Sequence, residues 1–431
     1  MKLLVPILFF LCLNFAIIKI ITMKNYRNIL CVSILFAGML FLGTGCTPSQ
    51  KQTADLPRIS FKDYLEGNDK VAIGTDEIES IEYIPLELTD DDASLVGYIQ
   101  DIVLANQYIF VFSIEENKVL QFDRQGKYIR TVTRQGEGPG ELPTLALTMW
   151  TDDAAGKLYV STTESISVYS YDGTFERKTD RHGRMVAYAG GRGMDWVAET
   201  SRENSPSDSP WIFGMGAFRY RADGSCDTLY MKKDLGNASV APSETCYIMG
   251  CFFRCADGYR YHVACNDTLF TLTEKGIEPY LILDRKPSSE EEKKYYLSPH
   301  QDFHPDMIYT QYMCETPRRI YFRFIHNETF YLLSYEKETG KILCQKTKYN
   351  FQNIKDYDGF MTCPGIENEM NGGLPVWFRN NWNPQTNIAI QPTSAATIAW
   401  MKEEGMIKNL PDFLQDYPED GNPVVAVYHF K

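Results

Sequence analysis

Beyond residue 75 the chain alternates short runs rich in Val, Ile, Tyr, Phe and Thr with polar turns, while helical periodicity is scarce. Five segments repeat a strand, a glycine-bearing turn and a second strand: VLQFDRQGKYIR, ISVYSYDGTFERK, AFRYRADGSCDTLYM, DTLFTLTEKGIEPYLIL and TFYLLSYEKETGKIL. Their turn glycines, Gly126, Gly173, Gly224, Gly276 and Gly340, are 47, 51, 52 and 64 residues apart. Glycine supplies the positive φ of a tight hairpin, and a neighbouring Asp bonds its own backbone. A period near 50 residues with several strands per unit is the spacing of propeller blades, so each segment reads as a blade's outer hairpin.

Further strand candidates precede several hairpins, at Tyr108 to Phe112, Lys157 to Ser161 and Arg319 to Phe324. Each unit thus becomes a four-stranded meander. At the two ends, IESIEYIPLEL (Ile78 to Leu88) and PVVAVYHF (Pro423 to Phe430) suit one shared blade that closes the ring and removes free edges. The expected fold is all-β: a six-bladed propeller of four-stranded antiparallel blades, closed by the N- and C-terminal strands. Short helices are expected at Lys286 to His300 and in TSAATIAWMKEEGM, where Ser394 is the N-cap, followed by LPDFLQDY. Ser201 to Pro210 is a loop by composition.

The first 45 residues read as a signal region. Two apolar runs occur, Leu3 to Ile18 and Ile29 to Cys46, and the basic stretch MKNYRN between them points to Met23 as the start. Gly43, Thr44 and Gly45 precede Cys46 as small residues precede a lipidated cysteine. Residues 46–75 then form a lipid-anchored tether and lead-in, and 76–431 the propeller. A two-helix membrane anchor is the competing reading, but each run is short for a span.

Charge narrows the partners. The net charge of −13 becomes about −17 without Lys2, Lys19, Lys24 and Arg27, and phosphate backbones would be repelled. No nucleic-acid partner is expected. Eight cysteines follow Cys46; Cys246, Cys251, Cys255 and Cys265 crowd together, but with spacings unlike paired zinc knuckles. They read as small buried hydrophobes, although an oxidising compartment would allow pairing.

Candidate chemistry is sparse. RQGEGPGEL (Arg134 to Leu142) has the glycines of a phosphate cradle, but it carries Glu137 and Glu141 and leads into a strand, not a helix. It reads as the elbow from one blade's outer strand to the innermost strand of the next. His300, His304 and Asp306 form a weak metal candidate whose flanking prolines favour a loop. TDDD (Thr89 to Asp92) reads as a solvated turn, without the glycine pattern of a calcium loop. The strongest ligand candidate is NGGLPVWFRNNWNP: Trp377, Phe378 and Trp382 offer flat apolar faces, and Arg379, Asn380 and Asn381 offer polar groups, as sugars and peptides require. The competing reading is a long loop pinned by its own aromatics.

Cys46 with its small-residue approach, IEYIPLELTDDDASLVG, VLQFDRQGKYIRTVTRQGEGPGEL, NDTLFTLTEKG, NGGLPVW and DGNPVVAVYHF span the mature chain. Together they resemble the six-bladed β-propeller lipoproteins of Bacteroidota, of NHL- and TolB-like outline. The resemblance implies a lipid-anchored envelope protein, at the outer membrane, without defining an activity. LPTL after the glycine loop departs from the NHL pattern, and Cys46 lacks the following acids linked to surface export. The expected function is a non-catalytic binding or scaffolding module for a glycan, peptide or envelope protein, without a cofactor. The alternative is a propeller enzyme, a metal-dependent lactonase-like hydrolase or a polysaccharide lyase, with its site over the central channel.

Overall fold

The structure is a computed structural model describing residues 56–65, 73–162, 165–180, 187–190, 196–200, 211–212, 215–221, 225–232, 237–238, 251–262, 266–273, 276–285, 308–350, 354, 364–370, 372–378, 382–383 and 386–431. The expected helix at Lys286 to His300 and the loop Ser201 to Pro210 lie outside these residues, as does Gly224. The chain folds into small, mostly antiparallel sheets in sequence order. The first sheet runs through Ile99–Leu104, Tyr108–Ser113, Lys118–Asp123 and Tyr128–Thr133. The second comprises Ala146–Asp152, Lys157–Thr162, Ser165–Ser170 and Phe175–Asp180. The third comprises Ala187–Gly190, Trp196–Thr200, Met215–Tyr220 and Cys226–Lys232.

The fourth sheet contains Cys251–Cys255, Gly258–His262, Thr268–Thr273 and Gly276–Asp284, and the fifth Tyr309–Glu315, Arg319–His326, Thr329–Glu336 and Ile342–Asn350. Innermost strands of successive sheets lie side by side from the first sheet to the fifth, and the closing sheet's strand Ile388–Thr393 lies beside the first. The arrangement is propeller-like, and the repeated segments are the outer hairpins. Gly126, Gly173, Gly276 and Gly340 all hold positive φ, at 84°, 86°, 137° and 71°.

Among the described residues five four-stranded blades form, not six. Five sheets have four meander strands, whereas the sheet built from both chain ends has three described strands, Ile388–Thr393, Val424–Phe430 and Ile78–Pro85. Ile78–Pro85 carries the marks of an edge strand: a bulge between Ile78 and Ser80, exposed Glu79 and Glu82, and a terminal proline. The corresponding third strand of the first sheet, Lys118–Asp123, is buried almost throughout. Ring closure itself is as expected, with Ile78–Pro85 antiparallel to Val424–Phe430.

The core lies in slabs between adjacent sheets. Ile84, Leu86, Val425 and Val427 meet Ile99, Ile102 and Leu120 at the closure, while Phe110, Phe112 and Val119 meet Met149, Leu158 and Val160. Polar links accompany the slabs. The first, second and fifth sheets each carry a bulge in the innermost strand, at Ile99/Asp101, Ala146/Thr148 and Thr310/Tyr312. Beside the first bulge, Asp101 Oδ2 accepts from Thr148 Oγ1 (2.9 Å) and Met149 N (2.7 Å) of the next sheet.

Part of the expected tether belongs to the folded body. Arg58–Ser60 adds a parallel fifth strand to the outer edge of the fourth sheet, opposite Ile282, Leu283 and Asp284. Ile59 and Phe61 are both 0% exposed, and the Phe61 ring meets Phe322 and Phe324 edge-on at 5.9 and 5.1 Å. Near the C-terminus Ser394 does cap a helix, Ala395–Glu403, its Oγ accepting from Thr397 N at 3.1 Å.

Two hairpin glycines separate backbone strain from packing. A Cβ on Gly340 would meet open space, but one on Gly126 would lie 2.0 Å from Pro85 O at the closure. Gly340→Ala should therefore cost about 1 kcal/mol, the left-handed penalty alone. Gly126→Ala should cost a further 1–3 kcal/mol or so. Denaturant unfolding of the two variants measures the difference, and equal losses would mean that the hairpin turn does not brace the closure.

Candidate functional site

The described aromatic residues of the segment expected to form a ligand platform are interior. Trp377, Phe378 and Trp382 are 0%, 1% and 2% exposed and belong to the core between the fifth and closing sheets. Phe378 packs edge-on against Tyr321, Tyr428 and Phe430 at 5.3, 5.7 and 5.1 Å. Trp377 N donates to Gln391 Oε1 (2.8 Å) and Trp382 Nε1 to Asn387 Oδ1 (3.2 Å), while the Arg323 guanidinium stands 5.3 Å from the Trp377 ring. The faces expected to meet a ligand are covered by neighbouring side chains, because the same flat apolar rings also fill a sheet-to-sheet gap well. Arg379, Asn380, Asn381, His300, His304, Asp306 and Cys46 lie outside the described residues.

The glycine-rich elbow supplies its own anion. Gly138 N donates to Glu141 Oε2 (2.9 Å), and a Cβ on Gly136 would lie 1.9 Å from that oxygen. Gly140, at φ 79°, packs against Phe175, and its carbonyl accepts from Thr133 Oγ1 and Tyr169 OH. A phosphate would have to displace the carboxylate already held there. The loop leads from Thr133, at the end of the first sheet's outer strand, to Ala146 on the second sheet's innermost strand.

A denser polar constellation joins the fourth, fifth and closing sheets. Asp76 and Glu77 form the turn before Ile78, so their carboxylates reach across to the fifth sheet's first hairpin. Buried Glu77 accepts from Thr316 Oγ1 (3.0 Å) and, closely, from Tyr321 OH. Burial, then the negative charge of Glu77, pushes the Tyr321 phenol well above its ordinary range. Arg319 forks onto Asp76 (Nη2 to Oδ2, 2.9 Å), and Arg318 bridges Asp76 (3.1 Å) and Glu336 (2.7 Å). Partial burial opposes ionisation of Asp76, yet the Arg319 hydrogen bond and both arginine charges hold it below the usual carboxylate range.

Next to it, Glu315, 1% exposed, pairs with Arg260 (2.9 Å) and Lys337 (3.1 Å). Arg260 also meets Asp257 (3.1 Å) and lies over the Tyr280 ring at 3.8 Å. Donor atoms of Cys255, Asp257 and Glu315 lie within 4.8 Å of one another, close enough to hold a metal ion. The chemistry does not fit one. Burial, then Glu315, raises the Cys255 thiol far above its ordinary value, and its Sγ donates to Asp257 Oδ1. Two cations already neutralise Glu315, and a dication would stand beside both. These groups form a structural joint, and protonated Tyr321 is unsuited to general-base work at neutral pH.

An open cleft of about 540 Å³ lies where the ring closes. Its walls come from Pro85 to Leu88, the hairpin tip Gln125 to Lys127, Tyr417, Pro418 and Asp420 to Asn422. Buried Asn422 fixes this corner: Nδ2 donates to Glu87 O (2.7 Å) and Ser94 O (2.8 Å), and Oδ1 accepts from Val96 N (2.8 Å). Glu87 N donates to Gly126 O (2.8 Å), and Glu87 Oε2 accepts from Tyr128 N (2.8 Å). The cleft was not legible in sequence because its walls are about 300 residues apart in the chain.

Comparison with known proteins bears on the whole ring. The pattern of the family described as a domain of unknown function, DUF4934, matches residues 66–429. The chain belongs to DUF4934. That span omits Arg58–Leu65, which nonetheless packs on the fourth sheet of this DUF4934 protein. None of the curated proteins matches it. A Bacteroides fragilis protein described as exported is 15% identical, with a TM-score of 0.59 over 83% of this chain and 97% of that one. A DUF4221 member from Bacteroides vulgatus is 12% identical, with a TM-score of 0.45 over 82% and 97%. An extracellular domain of a one-component system from B. thetaiotaomicron is 14% identical, with a TM-score of 0.35 over 62% of this chain and 29% of that one. The first of these supports the fold. No described helix is long and apolar enough to cross a membrane.

The joint predicts two separable effects. Glu315→Gln leaves Arg260 buried beside a neutral amide and should lower unfolding free energy by about 3–5 kcal/mol. The denaturant midpoint should fall with an unchanged slope. Asp76→Asn should behave differently with pH. Because the native pKa of Asp76 is depressed, its contribution is present above about pH 4 and is lost as pH falls through the native value. The stability gap to Asp76→Asn should therefore close in acid, and a gap constant from pH 7 to about 2 would refute the ion-pair account.

Proposed function

We propose that this DUF4934 protein is an envelope propeller of NHL- and TolB-like outline, tethered by lipid at Cys46 and acting as a non-catalytic binding or scaffolding module. On this reading the three-stranded closing sheet counts as a sixth, incomplete blade. The observation that carries the binding role is the cleft at the closure. It lies in the size range of ligand sites, combines apolar Leu88 and Tyr417 with Glu87, Lys127 and Asp420, and has walls fixed by Asn422.

The polar joint supports a non-catalytic role in its own way. Its carboxylates are committed to ion pairs and hydrogen bonds that hold sheets together, so drawing one into chemistry would loosen the ring. The partner classes are a glycan, a peptide or an envelope protein. Kinship in fold with an exported Bacteroides protein agrees with the signal-like N-terminus and with an address in the envelope.

Two experiments test this. Glycan and peptide arrays probed with the purified protein should give binding that Leu88→Trp, which fills the cleft, abolishes without changing thermal stability. Turnover of a lactone or polysaccharide with no binding to either array would overturn the module in favour of an enzyme. Cys46→Ser should release the protein from membrane fractions, and retention after signal cleavage would exclude the lipid anchor.

A further inference from the structure

The closure cleft carries an uncompensated charge. Glu87 and Asp420 line it, and Glu419, Asp90, Asp91 and Asp92 continue the same two loops, all exposed. Among the described residues none of these six enters an ion pair, whereas Asp76, Glu315 and Glu336 at the other joint are all paired with arginine or lysine. Lys127 is the single cation in the cleft's lining.

Two of these carboxylates are also held in place. Glu87 Oε2 is fixed by Tyr128 N, and Asp91 Oδ1 accepts from Thr89 Oγ1 (2.7 Å) and Ala93 N (3.2 Å). Tyr417 is anchored through its hydroxyl to Asn422 O (2.8 Å), leaving a half-buried ring near Pro418. Leu88, 37% exposed, adds an apolar side chain to the lining. The surface therefore combines fixed negative charge with apolar relief inside a cleft.

We propose that the cleft receives an extended peptide segment bearing lysine or arginine, its cations against the rim carboxylates and an apolar side chain against Leu88, Tyr417 and Pro418. This inference rests on the binding role above and names the partner's chemistry. A neutral glycan would use the apolar surfaces and leave the rim charge unmatched; an acidic segment would be repelled. Long-range attraction between a basic segment and the rim would speed encounter and weaken with salt.

Fluorescence polarisation of the full chain tests it with three labelled peptides of equal length: leucine with lysine, leucine with glutamate, and leucine with serine. The lysine peptide should bind, and binding should fall as salt rises from about 0.05 to about 0.5 M. Asp420→Lys, a change on an exposed loop, should weaken it about threefold to tenfold, and Lys127→Glu should strengthen it by a similar factor. Equal binding of all three peptides, or no response to either charge reversal, would overturn the proposal. Cleft binding of a neutral oligosaccharide in preference to every peptide would overturn the peptide assignment while leaving the binding role intact. Loss of the Leu88→Trp effect for every ligand would remove both.

Discussion

The antiparallel pairing of Ile78–Pro85 with Val424–Phe430 is the constraint on which the rest of the ring depends. The five meander sheets are built from strands in chain order with local hairpins, the added strand Arg58–Ser60 of the fourth apart. The closing sheet alone joins residues some 350 positions apart, so the cost of bringing the ends together falls on one interface. That interface is reinforced at both margins. At one, Glu77 and Asp76 are gripped by Thr316, Tyr321 and Arg319; at the other, Asn422 stitches Glu87, Ser94 and Val96.

Between the other sheets the same logic recurs with weaker means. Gln121 Nε2 donates to Tyr171 O (2.8 Å) from the first sheet to the second, and Arg219 Nη2 to Thr273 O (3.0 Å) from the third to the fourth. Arg260 reaches Glu315 from the fourth to the fifth. Apolar slabs provide the bulk of the attraction between sheets, and each long polar side chain sets the angle at which a slab is met. Charge is concentrated around the fifth sheet's first hairpin, where residues of the fourth sheet and of the turn before Ile78 reach it.

The sequence was legible wherever structure is local. Gly126, Gly173 and Gly340 mark turns because a left-handed backbone requires little more than glycine, and the helix after Ser394 is announced by its cap. The elbow at Gly136 to Gly140 was read correctly because Glu141 sits inside the motif that it fills. Long-range features were not legible. Trp377 and Trp382 have the same apolar faces whether they meet a sugar or Tyr428 and Arg323, and only tertiary packing decides. Asp76, Glu77, Arg260 and Glu315 show no period or motif, since their partners lie on other sheets. The edge of the closing sheet is marked by Glu79, Glu82 and Pro85, residues visible in sequence whose meaning depends on knowing which strand is outermost.

The parallel strand Arg58–Ser60 gives the molecule a load path. Tension arriving from upstream of Leu56 reaches the fourth sheet first, along the axis of a short strand whose hydrogen bonds to Ile282–Asp284 would be sheared together, with Ile59 and Phe61 as buried pegs. The closing pair lies elsewhere on the ring and is shielded from that force until the pegs withdraw. Stretching would therefore shear the arm loose before it opened the circle, so that the cleft at the closure could keep its shape while its carrier is pulled.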